Sequence, residues 1–167
     1  SAEPVEISEP YPRVLWVGRA VSVDMQPEAV TRARTPEFDP SQVVYVEGEI
    51  VNEGEARADG AGQARIVSYG TQSITLEVEA AAPGWLVLND VWYPGWEASV
   101  NGRPSQVYRV NGTFRAVRVP AGHNAVTMVY HSTYLGLGFA IAVAMVAVLI
   151  GVAIMPAIRS RARPAAP

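Results

Sequence analysis

The stretch that decides the fold is Trp92–Gly122, "WYPGWEASVNGRPSQVYRVNGTFRAVRVPAG". Asn-Gly pairs supply the positive φ that two-residue hairpin turns need, so Asn101-Gly102 and Asn111-Gly112 each turn a strand back on itself. Pro94-Gly95 fits the middle of a type II turn, and Pro120-Ala121-Gly122 marks another reversal. Trp85, Trp92, Tyr93 and Trp96 are expected to cluster at the Pro94-Gly95 corner and bury large areas. Working outward, "ARIVSY", "SITLEVEA", "GWLVLNDV", "WEASV", "SQVYRV", "TFRAVRV" and "NAVTMVYH" read as short strands separated by turns. In the second of these Ile74, Leu76 and Val78 share one face while Thr75, Glu77 and Glu79 share the other, the period of two that a half-buried strand requires. In "TFRAVRV" the same alternation, imperfectly kept, puts Phe114, Ala116 or Val117 near the core and Arg115 and Arg118 outward. The expected fold is mainly β: an antiparallel β-sandwich with a small α/β N-terminal part and one C-terminal transmembrane α-helix.

In that N-terminal part, residues 13–23 and "VVYVEGEI" read as strands. Pro27 stands at the start of a short helix that ends before Pro36. Residues 52–63 are polar and Gly-rich and read as a linker. The resulting division is 1–63, an N-terminal strand-helix-strand segment with its linker; 64–133, the sandwich; 134–155, the membrane helix; and 156–167, a short Arg-rich tail.

The helix rests on "YLGLGFAIAVAMVAVLIGVAIM", Tyr134–Met155, which contains no charged residue. Its 22 residues make about 33 Å of helix, against a bilayer hydrocarbon core of about 30 Å. Arg159, Arg161 and Arg163 follow it, and no Lys or Arg precedes it closely. The positive-inside rule then makes the C-terminus cytoplasmic and the bulk of the chain extracytoplasmic, a single-pass arrangement in the cell membrane. Tyr130 and Tyr134 stand where an interfacial aromatic belt belongs. Gly136, Ala140, Ala144, Ala147 and Gly151 form a stripe of small residues, candidates for packing against other transmembrane helices or subunits. The chain starts at Ser1 without a Met and shows no leader, and reads as a processed product or the tail of something longer.

Charge divides along the chain. Up to Glu97 sixteen acids outweigh six Arg, leaving −10; the seven Arg beyond leave +7, for a total of −3. Arg103, Arg109, Arg115 and Arg118 either face an anion or pair with acids of the first half. An acidic chain with so small a basic cluster is not a nucleic-acid binder. There is no Cys, hence no thiolate chemistry. His123 and His131 stand apart with no acid after Glu97, so no metal site and no cofactor is expected. Asp90 reads either as a general acid or base or as a brace for the turn through backbone N–H groups. No catalytic constellation emerges. The residues kept as ligand- or lipid-facing candidates are Trp92, Tyr93, Trp96, Arg115 and Arg118.

The order Asp90, Tyr93-Pro94-Gly95-Trp96, Asn101-Gly102, Arg115-Ala116-Val117 and Pro120-Ala121-Gly122-His123, followed by an apolar helix, resembles the C-terminal region of YfhO-like bacterial membrane proteins. "YPRVLWVGRA" and Phe38-Asp39-Pro40 resemble upstream segments of the same family, so the likeness runs over about Tyr11–Met155. Such proteins are similar to multi-spanning glycosyltransferases that use lipid-linked sugars, with catalytic acids in early loops between helices. The resemblance therefore implies no catalytic residue in this chain. Three functions stay open: a non-catalytic structural or interaction subunit of a larger membrane assembly; the C-terminal domain of a glycosyltransferase-like membrane enzyme handling lipid-linked sugars; and a carbohydrate-binding module, which needs its Trp cluster exposed.

Overall fold

The computed structural model describes residues 11–50, 61–132 and 135–161; in the last of these, side chains are described at 136 and 138–152. The chain forms two compact units, Ser1–His131 and Ser132–Pro167.

Among its described residues the first unit holds eleven strands and one short helix, in chain order β1 (Val14–Val17), β2 (Ala20–Val23), α1 (Gln26–Ala33), β3 (Val44–Glu47), β4 (Gly62–Tyr69), β5 (Ser73–Ala80), β6 (Gly84–Val91), β7 (Trp96–Val100), β8 (Arg103–Ser105), β9 (Tyr108–Val110), β10 (Phe114–Val119) and β11 (Gly122–Tyr130). They make a six-stranded sheet in the order β1-β6-β10-β9-β3-β2 and a five-stranded sheet in the order β4-β5-β11-β7-β8. The two sheets thus draw on residues from both sides of position 63. One feature departs from the antiparallel expectation: β2 and β3 pair in parallel, joined by α1, the crossover that a parallel pair requires.

The six-stranded sheet is strongly curled. Its edge strands β1 and β2 are joined only by Gly18 and Arg19, so Val17 and Ala20 lie at most about 11 Å apart. Laid flat, six strands would separate the two edges by about 24 Å. Curling resolves the conflict, and it encloses one face of every strand: Val17, Trp85, Val87, Ala116, Val110, Val44 and Val46 form one buried cluster, with Ala20 of β2 packed against it. The opposite face of β1, β6 and β10 packs on the five-stranded sheet through Val14, Leu86, Leu88, Val117 and Val119 against Ile74, Leu76, Val78, Val126 and Met128. β6 serves both cores, which explains its unbroken buried run Gly84–Leu88. Trp16 closes a joint between the sheets, its indole lying so close over Gly62 and Gly84 that a Cβ at either would approach the ring to 2.3 or 2.6 Å.

Both Asn-Gly turns form as expected, with φ of 53° at Asn101, 75° at Gly102, 49° at Asn111 and 77° at Gly112. Each Asn also acts as one more residue of a strand. Asn101 donates its N–H to the Ala125 carbonyl and accepts the Ala125 N–H at its Oδ1; Asn111 does the same with Tyr45. Buried and committed in this way, Asn111 is not an accessible glycosylation acceptor although Asn111-Gly112-Thr113 fits the sequon. α1 carries Pro27 in its first turn and packs Val30 onto Gly112, while Gln26 Nε2 donates to the Gly112 carbonyl at 2.9 Å.

The second unit is α2, Leu135–Arg161, a helix of 27 residues and so about 40 Å long. Its described side chains, those at 136 and 138–152, are all exposed. That uninterrupted run is short, and among the described residues no helix is long and apolar enough to cross a membrane.

Candidate functional site

The polar chemistry of the β unit gathers where β6 ends, β10 begins and β11 leaves for α2. A shift of register between Phe114 and Arg115 makes it possible: Arg115 lies opposite Leu88, but Phe114 lies opposite Val91. Asn89 and Asp90 are thus extra residues on β6, a bulge that re-aims the side chains beside it. Arg115, expected to point outward, shares the face of Val117 and Val119 between the sheets and is 3% exposed.

Inside, Arg115 Nη2 donates to Asp90 Oδ2 at 3.0 Å and its guanidinium lies 3.8 Å from the Trp96 ring centroid. Asp90 accepts two more hydrogen bonds, from Arg13 Nε at 3.0 Å and from the Tyr69 hydroxyl at 2.7 Å. Arg13 also donates to the Tyr69 hydroxyl and stacks on its ring. Asp90 is therefore neither a lone acid nor a brace for backbone N–H groups, but the shared acceptor of two guanidiniums and a phenol. The cluster joins β1 and the two sheets, because Arg13 and Asp90 come from one side and Tyr69 and Trp96 from the other.

Electrostatics follow from this sharing. The bond to the Asp90 carboxylate, reinforced by partial burial, raises the Tyr69 hydroxyl above its ordinary pKa. Burial pushes the Arg115 guanidinium down, opposed by Asp90. Arg13, hydrogen-bonded to Asp90, is pushed up. Arg115 Nε is buried without a hydrogen-bond partner.

The aromatic corner is assembled differently from the expectation. Trp85 is not in it: seven residues before Trp92 on an extended strand, it lies roughly 23 Å away and packs edge-on against Tyr108 in the other core. Its place is taken by Tyr130, whose ring lies 5.5 Å from Trp96 and 6.2 Å from Tyr93. Trp96 is covered by Arg115 on one face; Trp92 is half-buried beneath Arg109. Tyr93 is 59% exposed. Gly95, at φ 104°, accepts the His131 N–H at 2.8 Å and leaves no room for a Cβ against the His131 carbonyl.

The other expected residues are dispersed. Arg109 pairs with Glu47, and Arg118 is half-buried opposite Trp85. His123 is exposed opposite Glu79, and His131 lies 3.8 Å from Glu97. Among the described residues no three His, Asp or Glu converge on one point. Gly136, Ala140, Ala144, Ala147 and Gly151 are exposed along α2. Arg13 and Tyr69 were invisible as site residues in the sequence, since no local pattern ties them to Asp90.

The sequence model of the bacterial membrane protein YfhO matches residues 56–142, just over half of the chain. The chain belongs to the YfhO family. No curated protein and no solved structure matches it. The YfhO match takes in Tyr69, Asp90, Tyr93, Trp96, Arg115 and Tyr130 and reaches into α2; Arg13 lies outside it.

Proposed function

We propose that this YfhO-family chain is a membrane-anchored extracytoplasmic β domain, held by α2 as a single span and acting as a non-catalytic structural or interaction part of a larger membrane assembly. The observation that carries the reading is α2 itself, 27 residues long with every described side chain exposed and nearly all of them apolar. A helix apolar all round has no stable place in water. The site supports the non-catalytic half of the reading, because Asp90 spends its acceptor capacity on Arg13, Arg115 and Tyr69.

The chain lacks Cys, so single cysteines report topology cleanly. With Ala121→Cys in the β unit and Ala166→Cys in the tail, an impermeant maleimide should label only the first in intact cells and both after lysis. Labelling of Ala166→Cys in intact cells would refute the orientation; extraction of the chain by alkaline carbonate would refute the span.

Family membership favours a second reading, in which the β unit is the C-terminal part of a membrane enzyme handling lipid-linked sugars, with the chemistry in segments outside this sequence. The intact mass of the native protein separates the two: 17.9 kDa for a free-standing subunit, several times more for the enzyme. A carbohydrate-binding module has less support, since Trp85 is buried and Trp96 is covered.

A further inference from the structure

Among the described residues, the exposed large hydrophobic side chains of the β unit are Tyr11, Met25, Val67, Tyr69, Val91 and Tyr93. Met25 caps α1. The other five belong to one end of the unit. Tyr11 lies three residues before Val14, where β1 starts opposite the end of β6. Val91 is the last residue of β6, and Tyr93 follows it on the way to the Pro94-Gly95 turn. Tyr69 ends β4 and, through Asp90, touches the same end of β6; Val67 is two residues before it. Tyr93 also packs toward Tyr130, the last residue of β11.

Three features of this end go together. Its exposed rings, Tyr11, Tyr69 and Tyr93, are all phenols, whose apolar body and polar tip suit a membrane–water boundary. The carboxylate buried beneath them, Asp90, is answered by two guanidiniums, and the exposed Glu97 faces His131. Last, Tyr130 is five residues from Leu135, the first residue of α2, a length of chain that reaches at most about 18 Å however it runs.

We infer that this tyrosine end of the β unit is a membrane-docking face: Tyr11, Val91 and Tyr93 sit in the headgroup region of the bilayer that α2 enters, and fix the orientation of the β unit on its surface. The inference rests on the proposal that α2 spans. Side chains seated in this way enter the boundary to a depth of about 5–10 Å.

Spin labels on single cysteines test it in the full chain, reconstituted in vesicles of phosphatidylcholine with one-quarter phosphatidylglycerol. The label is placed at Val91→Cys, at Ala121→Cys beyond the opposite end of β10, or at Val146→Cys in α2. The readout is the ratio of collisions with oxygen, which prefers lipid, to collisions with a water-soluble nickel chelate. The ratio at 91 should exceed that at 121 several-fold. Adding Tyr11→Asn and Tyr93→Asn to the Val91→Cys chain should return it to the value at 121, with tryptophan emission unchanged to show that the fold is intact. An aqueous ratio at 91 with a hydrocarbon ratio at 146 would overturn the docking face and leave the anchor standing. An aqueous ratio at 146 would overturn both.

Discussion

Replacing Asp90 by Asn removes the charge that answers Arg115 while keeping the shape of the side chain. Arg115 is almost wholly buried and Arg13 is half exposed, so the two lose unequal amounts. An exposed ion pair contributes about 0–1 kcal/mol. Stranding a buried charge costs roughly 3–5 kcal/mol, and that value sets the expectation for Asp90→Asn. The mirror substitution behaves differently. Arg115→Met gives up the charged hydrogen bond to Asp90, about 1.5–3 kcal/mol, a long one of 3.4 Å to the Val91 carbonyl, and a cation–π contact of about 1 kcal/mol. In return it removes a desolvated guanidinium whose Nε has no partner, and Asp90 keeps Arg13 and Tyr69. The net cost should be about 1 kcal/mol.

The double variant strands no charge. It should cost about as much as Arg115→Met alone, giving a coupling of about 3–5 kcal/mol between the two positions. The assay is urea unfolding of the full chain in detergent micelles, followed by tryptophan emission, with the slope checked for constancy. Trp96, stacked on the guanidinium, should change its emission in every variant that lacks Arg115. If Arg115→Met proves as costly as Asp90→Asn, or the two costs add to within about 0.5 kcal/mol, the burial of Arg115 does not depend on the Asp90 charge.

Three further outcomes follow from the geometry. Asn101→Ala and Asn111→Ala should each cost about 2–3 kcal/mol in the same unfolding assay, losing a left-handed conformation worth about 1–2 kcal/mol and a hydrogen bond worth about 1 kcal/mol; Asn→Gly should cost only the second part. Gly84→Ala, whose Cβ would meet Trp16 at 2.6 Å, should cost at least about 1–3 kcal/mol and be partly relieved by Trp16→Leu. In an alkaline absorbance titration at 295 nm one of the seven tyrosines should ionise late and vanish as such in Tyr69→Phe. Because the folded pKa of Tyr69 is raised, its contribution to stability is complete below the unfolded tyrosine pKa and is lost as pH climbs through the folded one.

What the sequence made legible was local. Turns need particular residues at particular φ, so Asn101-Gly102, Asn111-Gly112 and Pro94-Gly95 could be placed from their dipeptides, and alternation placed Ile74, Leu76 and Val78 in the core. The partners of β1, β2 and β3 could not be read, because nothing in "VLWV" points to a strand seventy residues away. The curl of the large sheet emerges only when pairing is known: it is the two-residue link Gly18-Arg19, set against four strands lying between its ends, that forces it.

The misreading of Arg115 has the same root. Alternation itself sets Arg115 on the face of Val117 and Val119, but both faces of β10 are buried, a consequence of the curled sheet that "TFRAVRV" alone does not show. The bulge in β6 carries Asp90, the carboxylate that makes the burial of Arg115 tolerable. Straightening it by deleting Asn89 and Asp90 should remove the acceptor of Arg115, Arg13 and Tyr69 in one step and cost more than Asp90→Asn, because the register of the last residues of β6 against β10 changes as well.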